Sequence, residues 1–152
     1  MGAHFWSHVE PYQDDIGAVL AGLREQEFRA GRFYQPSEIY PGYLGRLFGR
    51  KPYKPKPPKT IEEAIARTES VATGTRSILD MERISETPDF GTLSPLSRDE
   101  LQRMFGTEQP TLEMIEKSDE LIESIERGHG IYIIIYEQGR PEKIYLAGYS
   151  YD

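Results

Sequence analysis

The chain has 152 residues, of which 38% are hydrophobic and 28% charged, and it carries a formal net charge of −7. A chain of this length can bury roughly 70% of its unfolded surface, so we expect a single domain over residues 1–152 and exclude two full domains and wholesale disorder. The absence of cysteine excludes disulfides, thiolate metal sites and a cysteine nucleophile.

The first third of the chain predicts a strand, a helix and then a long loop. Apolar and polar residues alternate over residues 3–9, which is typical of a short strand. Apolar residues then recur at helical spacing as far as Phe28, and Gly31 is a natural stop. Residues 32–59 form a Tyr-, Pro- and Lys-rich loop, and a loop this long inside a compact domain is often functional or mobile.

Charge is distributed unevenly between this loop and the rest of the chain. Residues 1–59 carry a net charge of +3 and residues 60–152 a net charge of −10. The basic loop is either a solvated insertion or a contact arm for an acidic protein or a phosphate backbone. Because the acidic remainder would repel a phosphate backbone, we do not expect a nucleic-acid partner.

The middle of the chain predicts three helices and one strand. Capping boxes open helices over residues 60–72 and 97–106, and residues 77–85 between them are expected to form a strand. The longest helix is predicted over residues 111–127, with an apolar stripe and glutamates on the remaining surface.

The carboxyl end predicts an antiparallel hairpin. Residues 131–136 and 143–149 are rich in β-branched and aromatic residues, and residues 137–142 make the turn between them. The continuous apolar run places the first of these strands at the centre of the sheet. The fold class is therefore α+β: one domain with roughly four mainly antiparallel strands, packed by about four helices.

Few residues form a pattern that carries chemistry. No catalytic motif is present, so enzymatic activity is unsupported, and we expect no cofactor. His4 and His8 share one side of the first strand, and His129 precedes a strand that could lie beside it. These histidines are weak metal candidates, and we expect no metal site.

Two groups of residues favour binding to another protein. Tyrosines beside Gly, Pro and Arg have the composition of a binding surface, and the loop carries Tyr40, Tyr43 and Tyr53. They could equally pack the loop onto the sheet. The predicted acidic helix can match the charge of a basic protein through Glu116, Glu120 and Glu123.

Four segments stand out as a set: Gly2-Ala3 with Phe5-Trp6, residues 74–80, residues 88–91 and residues 147–152. As a set they resemble a family of small uncharacterised bacterial proteins, over nearly the whole chain except residues 35–59. The resemblance implies no activity, substrate or site. It indicates that the basic, Pro-rich loop is this chain's own variation.

Our leading hypothesis is a small cytoplasmic protein-binding module, an immunity- or antitoxin-like inhibitor of a basic effector. Neither a signal peptide nor a membrane span is visible. The alternative is a small-ligand-binding domain or an enzyme, with a site between the loop and the sheet near His8, Arg76 and Asp80. The chain is expected to be a monomer or a homodimer, and a dimer would pair through the edge of the terminal hairpin.

Overall fold

Five strands form one sheet in a computed structural model that describes residues 3–152: β1 (Phe5–Pro11), β2 (Arg83–Ile84), β3 (Thr92–Pro95), β4 (Gly130–Glu137) and β5 (Arg140–Tyr149). Their order across the sheet is β1-β5-β4-β3-β2. β5 pairs antiparallel with β1 and β4, whereas β3 pairs parallel with β4 and β2. The α+β class is confirmed, but the prediction of about four mainly antiparallel strands is wrong, because the sheet is mixed.

The parallel part of the sheet depends on β3, which the sequence analysis missed. Parallel neighbours need a crossover of a dozen or more residues, and residues 96–129 supply a helical one between β3 and β4. β3 is short and ends in a proline, so its sequence alone has little strand character. Its first three residues are nonetheless buried.

The terminal hairpin lies in the interior of the sheet. β4 is flanked by β3 and β5, as its continuous apolar run predicted. The turn is shorter than predicted: Gln138 and Gly139, with φ angles of 52° and 76°, are typical of a two-residue type I′ turn. β1 and β2 are the edges of the sheet, and β3 pairs with β4 only through Gly130, Ile131 and Tyr132, so the later part of β4 has no strand beside it on that side within residues 3–152. Pairing of a second copy through the hairpin stays a prediction.

Six α-helices, more than the predicted four, accompany the sheet within the described residues: α1 (Ile16–Arg29), α2 (Tyr43–Leu47), α3 (Ile61–Glu69), α4 (Arg98–Phe105), α5 (Leu112–Glu116) and α6 (Asp119–Ser124). Leu20 of α1 packs with Leu146 of β5 in one core cluster, and Leu121 of α6 packs with Tyr145 in a second. Successive strand residues point to opposite faces, so α1 and α6 lie on opposite faces of the sheet. None of the helices within residues 3–152 combines the length and the hydropathy needed to cross a bilayer.

The strand predicted over residues 77–85 is wrong. Ile78–Asp80 is a single 3₁₀ turn, and the strand β2 covers only two residues after it. Ser77 Oγ accepts a hydrogen bond of 3.2 Å from Leu79 N, which starts the turn. Ile78 and Leu79 are both 0% exposed, and two adjacent buried side chains suit a turn between α1 and α3 better than an alternating strand.

The long helix predicted over residues 111–127 is also wrong. The segment forms α5 and α6, and the longest helix is α1, with 14 residues. Ser118 Oγ accepts a hydrogen bond of 3.2 Å from Leu121 N and caps α6. On one continuous helix, residues six apart would lie about 120° apart around the axis. The break lets Ile115 and Leu121 both reach the core, where each is 1% exposed.

Candidate functional site

Residues 39–53, which we call the arm, form a self-contained part of the long loop. Ile39 and Tyr53 close the arm through two backbone hydrogen bonds of 2.9 and 3.1 Å. Within it lies α2, and Arg50 N donates to Gly45 O at 2.9 Å. Position 45 requires glycine, because a Cβ there would lie 2.7 Å from the Cβ of a neighbouring proline. Backbone hydrogen bonds within residues 39–53 thus hold the arm together.

The arm exposes most of the large apolar side chains that the molecule exposes. Its exposed residues range from Tyr40, at 56%, to Phe48, at 82%. The full set is Tyr40, Tyr43, Leu44, Leu47, Phe48 and Tyr53. Elsewhere in residues 3–152, only Val9 and Phe90 are exposed large hydrophobic residues. The arm also carries three exposed cations and no acidic residue: Arg46, Arg50 and Lys51.

The structure brings the three predicted tyrosines together with apolar residues that the sequence analysis did not single out. Leu44, Leu47 and Phe48 were missed, although their helical spacing inside a Gly- and Pro-rich basic segment was a usable signal. A helix of five residues, with no buried residue, has no core to face. Its apolar side chains therefore remain available for contact.

The segment that leads into the arm contacts Thr75 and Arg76 through Tyr34. Tyr34 N donates a hydrogen bond of 2.7 Å to Thr75 O, and the Arg76 guanidinium lies 4.3 Å from the centre of the Tyr34 ring. Arg76 Nε also forms an ion pair of 2.9 Å with Asp152 Oδ2. Arg76, predicted as a ligand residue, is thus engaged in contacts within the chain.

The predicted acidic residues lie on the opposite side of the sheet from α1, on α5 and α6. Glu116, Glu120 and Glu123 are all exposed. Glu120 pairs with Arg103 of α4, whereas Glu116 and Glu123 have no ion-pair partner within residues 3–152. The division of 111–127 into two helices therefore leaves an acidic surface in place.

Asp80 lines a cleft of about 200 Å³ beside β2 and β3. Asp80 Oδ1 accepts a hydrogen bond of 2.8 Å from Thr75 N, whereas its buried Oδ2 has no partner within residues 3–152. Burial raises the pKa of Asp80, against the lowering effect of the hydrogen bonds from Thr75. A carboxyl group with these properties can hold a proton or bind a cation. Neither His8 nor Arg76 lines this cleft.

Three of the segments singled out in the sequence meet at the Asp80 cleft. Asp80 comes from residues 74–80, Phe90 from residues 88–91, and Tyr151 from the carboxyl terminus. The rings of Phe90 and Tyr151 lie 5.7 Å apart and form an aromatic wall beside the carboxyl group. Sequence reasoning named these segments but gave no reason for them to converge.

The histidines do not form a metal centre. Within residues 3–152 no three His, Asp or Glu side chains lie close enough together to hold a metal ion. His4 and His8 lie at β1, and β5 separates that strand from β4, which follows His129, so the expected adjacency of the two strands is wrong. Burial lowers the pKa of His8, opposed by the nearby Glu27 carboxylate.

Comparison of the chain with protein families, curated proteins and solved structures finds no match in any of the three. The resemblance to small bacterial proteins therefore stays a prediction, and the geometry of the described residues is the basis for a functional conclusion.

Proposed function

We propose that this protein is a protein-binding module of the inhibitor type, and that the arm is the surface that contacts its partner. The observation that supports this proposal is the set of six exposed apolar side chains on residues 39–53. Soluble proteins rarely leave such residues clustered on the surface without a binding role. Tyr, Phe and Arg, which the arm combines, are enriched in protein interfaces.

The energetics favour the arm as an affinity surface. Full burial of one Leu or Phe side chain contributes about 1.5–3 kcal/mol, so a few arm residues can offset the entropy lost on association. The hydrogen bonds between Ile39 and Tyr53 preorganise the arm and reduce the cost of ordering it on binding. Tyr43, Leu44 and Phe48 are the residues we assign as anchors, since they are the most exposed.

The acidic surface supports a version of this function in which the partner is basic. Glu116 and Glu123 are exposed and have no ion-pair partner among the described residues, so they can attract a cationic protein during approach. In this version the protein is an immunity- or antitoxin-like inhibitor: the acidic surface steers a basic effector, and the apolar contacts of the arm hold it against the repulsion from the arm's own three cations.

The test compares two variants, one that changes the arm and one that changes the acidic surface. We expect wild-type protein to retain a stoichiometric partner from the lysate of its source organism, and Tyr43→Ser/Leu44→Ser/Phe48→Ser to lose at least tenfold in affinity for that partner. Circular dichroism of both proteins controls for folding.

The second variant, Glu116→Gln/Glu120→Gln/Glu123→Gln, isolates the charge. For a basic partner it should slow association and flatten the salt dependence, with little effect on dissociation. If the arm variant binds the purified partner as tightly as wild type, the arm is not the contact surface. Unchanged kinetics in the glutamine variant would exclude the electrostatic version alone.

A second candidate function, small-ligand binding or catalysis, is favoured by the Asp80 cleft, with its unpartnered carboxylate oxygen and raised Asp80 pKa. A small molecule retained by wild-type protein in native mass spectrometry and released by Asp80→Asn would support it. A molecule retained equally by both proteins would place that ligand elsewhere.

A further inference from the structure

A second cleft, of about 330 Å³, lies on the opposite side of the sheet from α1. It is lined by the end of β3, the first turn of α4 and the segment between α6 and β4. Its volume is at the lower end of the roughly 300–1,000 Å³ range of small-ligand sites. No residue of the arm lines it, and neither does Asp80.

Ser94, which lines this cleft, has a buried hydroxyl group with no partner. Its side chain is 1% exposed, and Ser94 Oγ makes no hydrogen bond within residues 3–152. Every other buried serine or threonine hydroxyl of the described residues is hydrogen-bonded: those of Thr68, Thr75, Ser77, Thr92 and Ser150. A buried hydroxyl without a partner is destabilising, so Ser94 indicates a group that the protein itself does not supply.

The polar groups around Ser94 are mainly acceptors. Glu126 is exposed and has no ion-pair or side-chain hydrogen-bond partner among the described residues, and Glu100 uses only Oε2, for Ser97. His129 Nδ1 lies 3.0 Å from Arg127 O. Because a carbonyl oxygen only accepts, Nδ1 donates, and Nε2 of a neutral ring is left as an acceptor. These groups favour a ligand that brings N–H donors and a positive charge.

Apart from Ser124, whose hydroxyl donates to Leu121 O at 2.7 Å, the rest of the wall is apolar. Leu96, Ile125 and Ile131 belong to the core cluster beneath α5 and α6, and Pro88 and Pro95 complete the lining. An apolar wall next to acceptors suits the stem of an amphipathic side chain or ligand, whose cationic end reaches the polar groups.

We propose that this cleft binds an ammonium or guanidinium group at the end of a short apolar stem. The Glu126 carboxylate pairs with the cation, Ser94 Oγ accepts one of its N–H groups, and the stem lies against Leu96 and Ile125. Such a group is present both in a free amine or guanidine and in a lysine or arginine side chain of a protein. The cleft is separate from the arm, so a failure of this proposal would leave the arm as a contact surface untouched, and the reverse is also true.

The experiment uses two probes of nearly the same shape, butylguanidinium and neutral butylurea. We expect butylguanidinium to produce saturable shifts in the methyl NMR signals of Leu96, Ile125 and Ile131, and butylurea to bind at least tenfold more weakly. Glu126→Gln should weaken butylguanidinium binding at least tenfold, whereas Glu137→Gln, a matched change of an exposed glutamate at the far end of β4, should leave it unchanged. Equal binding of the two probes, or no saturable shift with either, would overturn the proposal.

Ser94→Ala tests the unpartnered hydroxyl with two readouts. It should weaken butylguanidinium binding severalfold and leave the urea-unfolding midpoint unchanged or higher, because it removes a polar group without a partner. A lower midpoint would mean that the protein satisfies this hydroxyl itself, which contradicts the premise.

A capped Gly-Arg-Gly peptide distinguishes the two sources of the cation. Peptide binding at least as tight as that of butylguanidinium assigns the cleft to an arginine side chain of a protein. Binding of the free guanidinium alone assigns it to a small molecule.

Discussion

The arm and the α5–α6 segment contain the same residue types but differ in which of them they bury. In α6, Leu121 is 1% exposed and the charged side chains face solvent. In the arm, Leu44 is 68% and Leu47 is 63% exposed, beside exposed cations. Both segments are short helices with leucines and charges. The comparison teaches that the position of a segment over the sheet, and not its apolar content, decides what it buries.

The physical reason lies in what each segment has to cover. α5 and α6 lie over the apolar face formed by Ile131, Ile133 and Ile135 of β4, which must be shielded from water. The arm closes on itself through Ile39 and Tyr53, and it is mostly exposed, so water can reach the backbone groups that its own hydrogen bonds leave unpaired. The arm can therefore extend away from the sheet and its helices without a large cost from unpaired polar groups.

The largest effect is expected when the same Leu→Ala change is made in the α5–α6 segment and in the arm. Leu121→Ala should lower the free energy of unfolding by about 2–5 kcal/mol, because it leaves a cavity in the core. Leu44→Ala should change it by less than about 0.5 kcal/mol, since Leu44 has little to lose in the free protein. Urea denaturation of both variants measures this difference, and equal losses would mean that the arm packs on the body.

A smaller effect on stability is expected at the end of α1, where the chain continues towards the arm. Glu27 is 5% exposed, and Arg32 donates to its two carboxylate oxygens at 2.9 and 2.7 Å. These hydrogen bonds hold the pKa of Glu27 below its ordinary value of 4.5. Because Arg32 is itself half exposed, we expect Arg32→Gln to cause only a modest loss of stability at pH 7.

The sign of the pH dependence follows from the lowered Glu27 pKa. The pair of Glu27 and Arg32 contributes its full stability above pH 4.5, and this contribution is lost as the pH falls through the lower folded-state pKa of Glu27. The difference between Arg32→Gln and wild type should therefore shrink in acid. Arg29→Gln is the matched control: its pair with Glu25 is 77% and 48% exposed, so a change below about 0.5 kcal/mol is expected at any pH. A cost for Arg32→Gln that does not vary with pH would contradict the role of the Glu27 charge.

The smallest expected effect concerns the Asp80 cleft, which lies in the body. Burial raises the pKa of Asp80 above its ordinary value of 3.8, so the folded state favours the protonated carboxyl group. This contribution to stability is fully present below pH 3.8 and is lost as the pH rises through the folded-state pKa. Asp80→Asn removes this charge and should raise the thermal midpoint at pH 7, with the gain disappearing in acid. Glu82→Gln removes an exposed carboxylate from the same cleft and is the control for the loss of a charge that is not buried. A lower midpoint for Asp80→Asn at pH 7 would mean that the charge itself stabilises the fold.

The sequence predicted the features that depend on neighbours in the chain. Thr60 and Ser97 cap α3 and α4 as the sequence suggested, because each side chain accepts a hydrogen bond from the backbone N–H group three residues ahead. The terminal hairpin was equally visible, since two β-rich runs were separated by a short segment containing glycine. None of these features needs a distant partner.

The candidate sites were only partly visible. Tyr40, Tyr43 and Tyr53 could be named from composition, but their exposure could not, because a loop tyrosine packs equally well onto a sheet. Ser94 gave no signal at all. An unpartnered hydroxyl group is defined by what surrounds it, and a single buried serine looks like any other in the sequence.

By itself, the sequence determined the helix caps, the hairpin, the α+β class and the basic character of the loop, since each follows from local hydrogen bonding, periodicity or charge. Only the tertiary structure decided that β3 joins the sheet in parallel, that residues 111–127 bend to bury both Ile115 and Leu121, and that the arm remains uncovered. Burial depends on which distant segments meet. One apolar pattern can therefore form either a core or a contact surface, according to the face it meets.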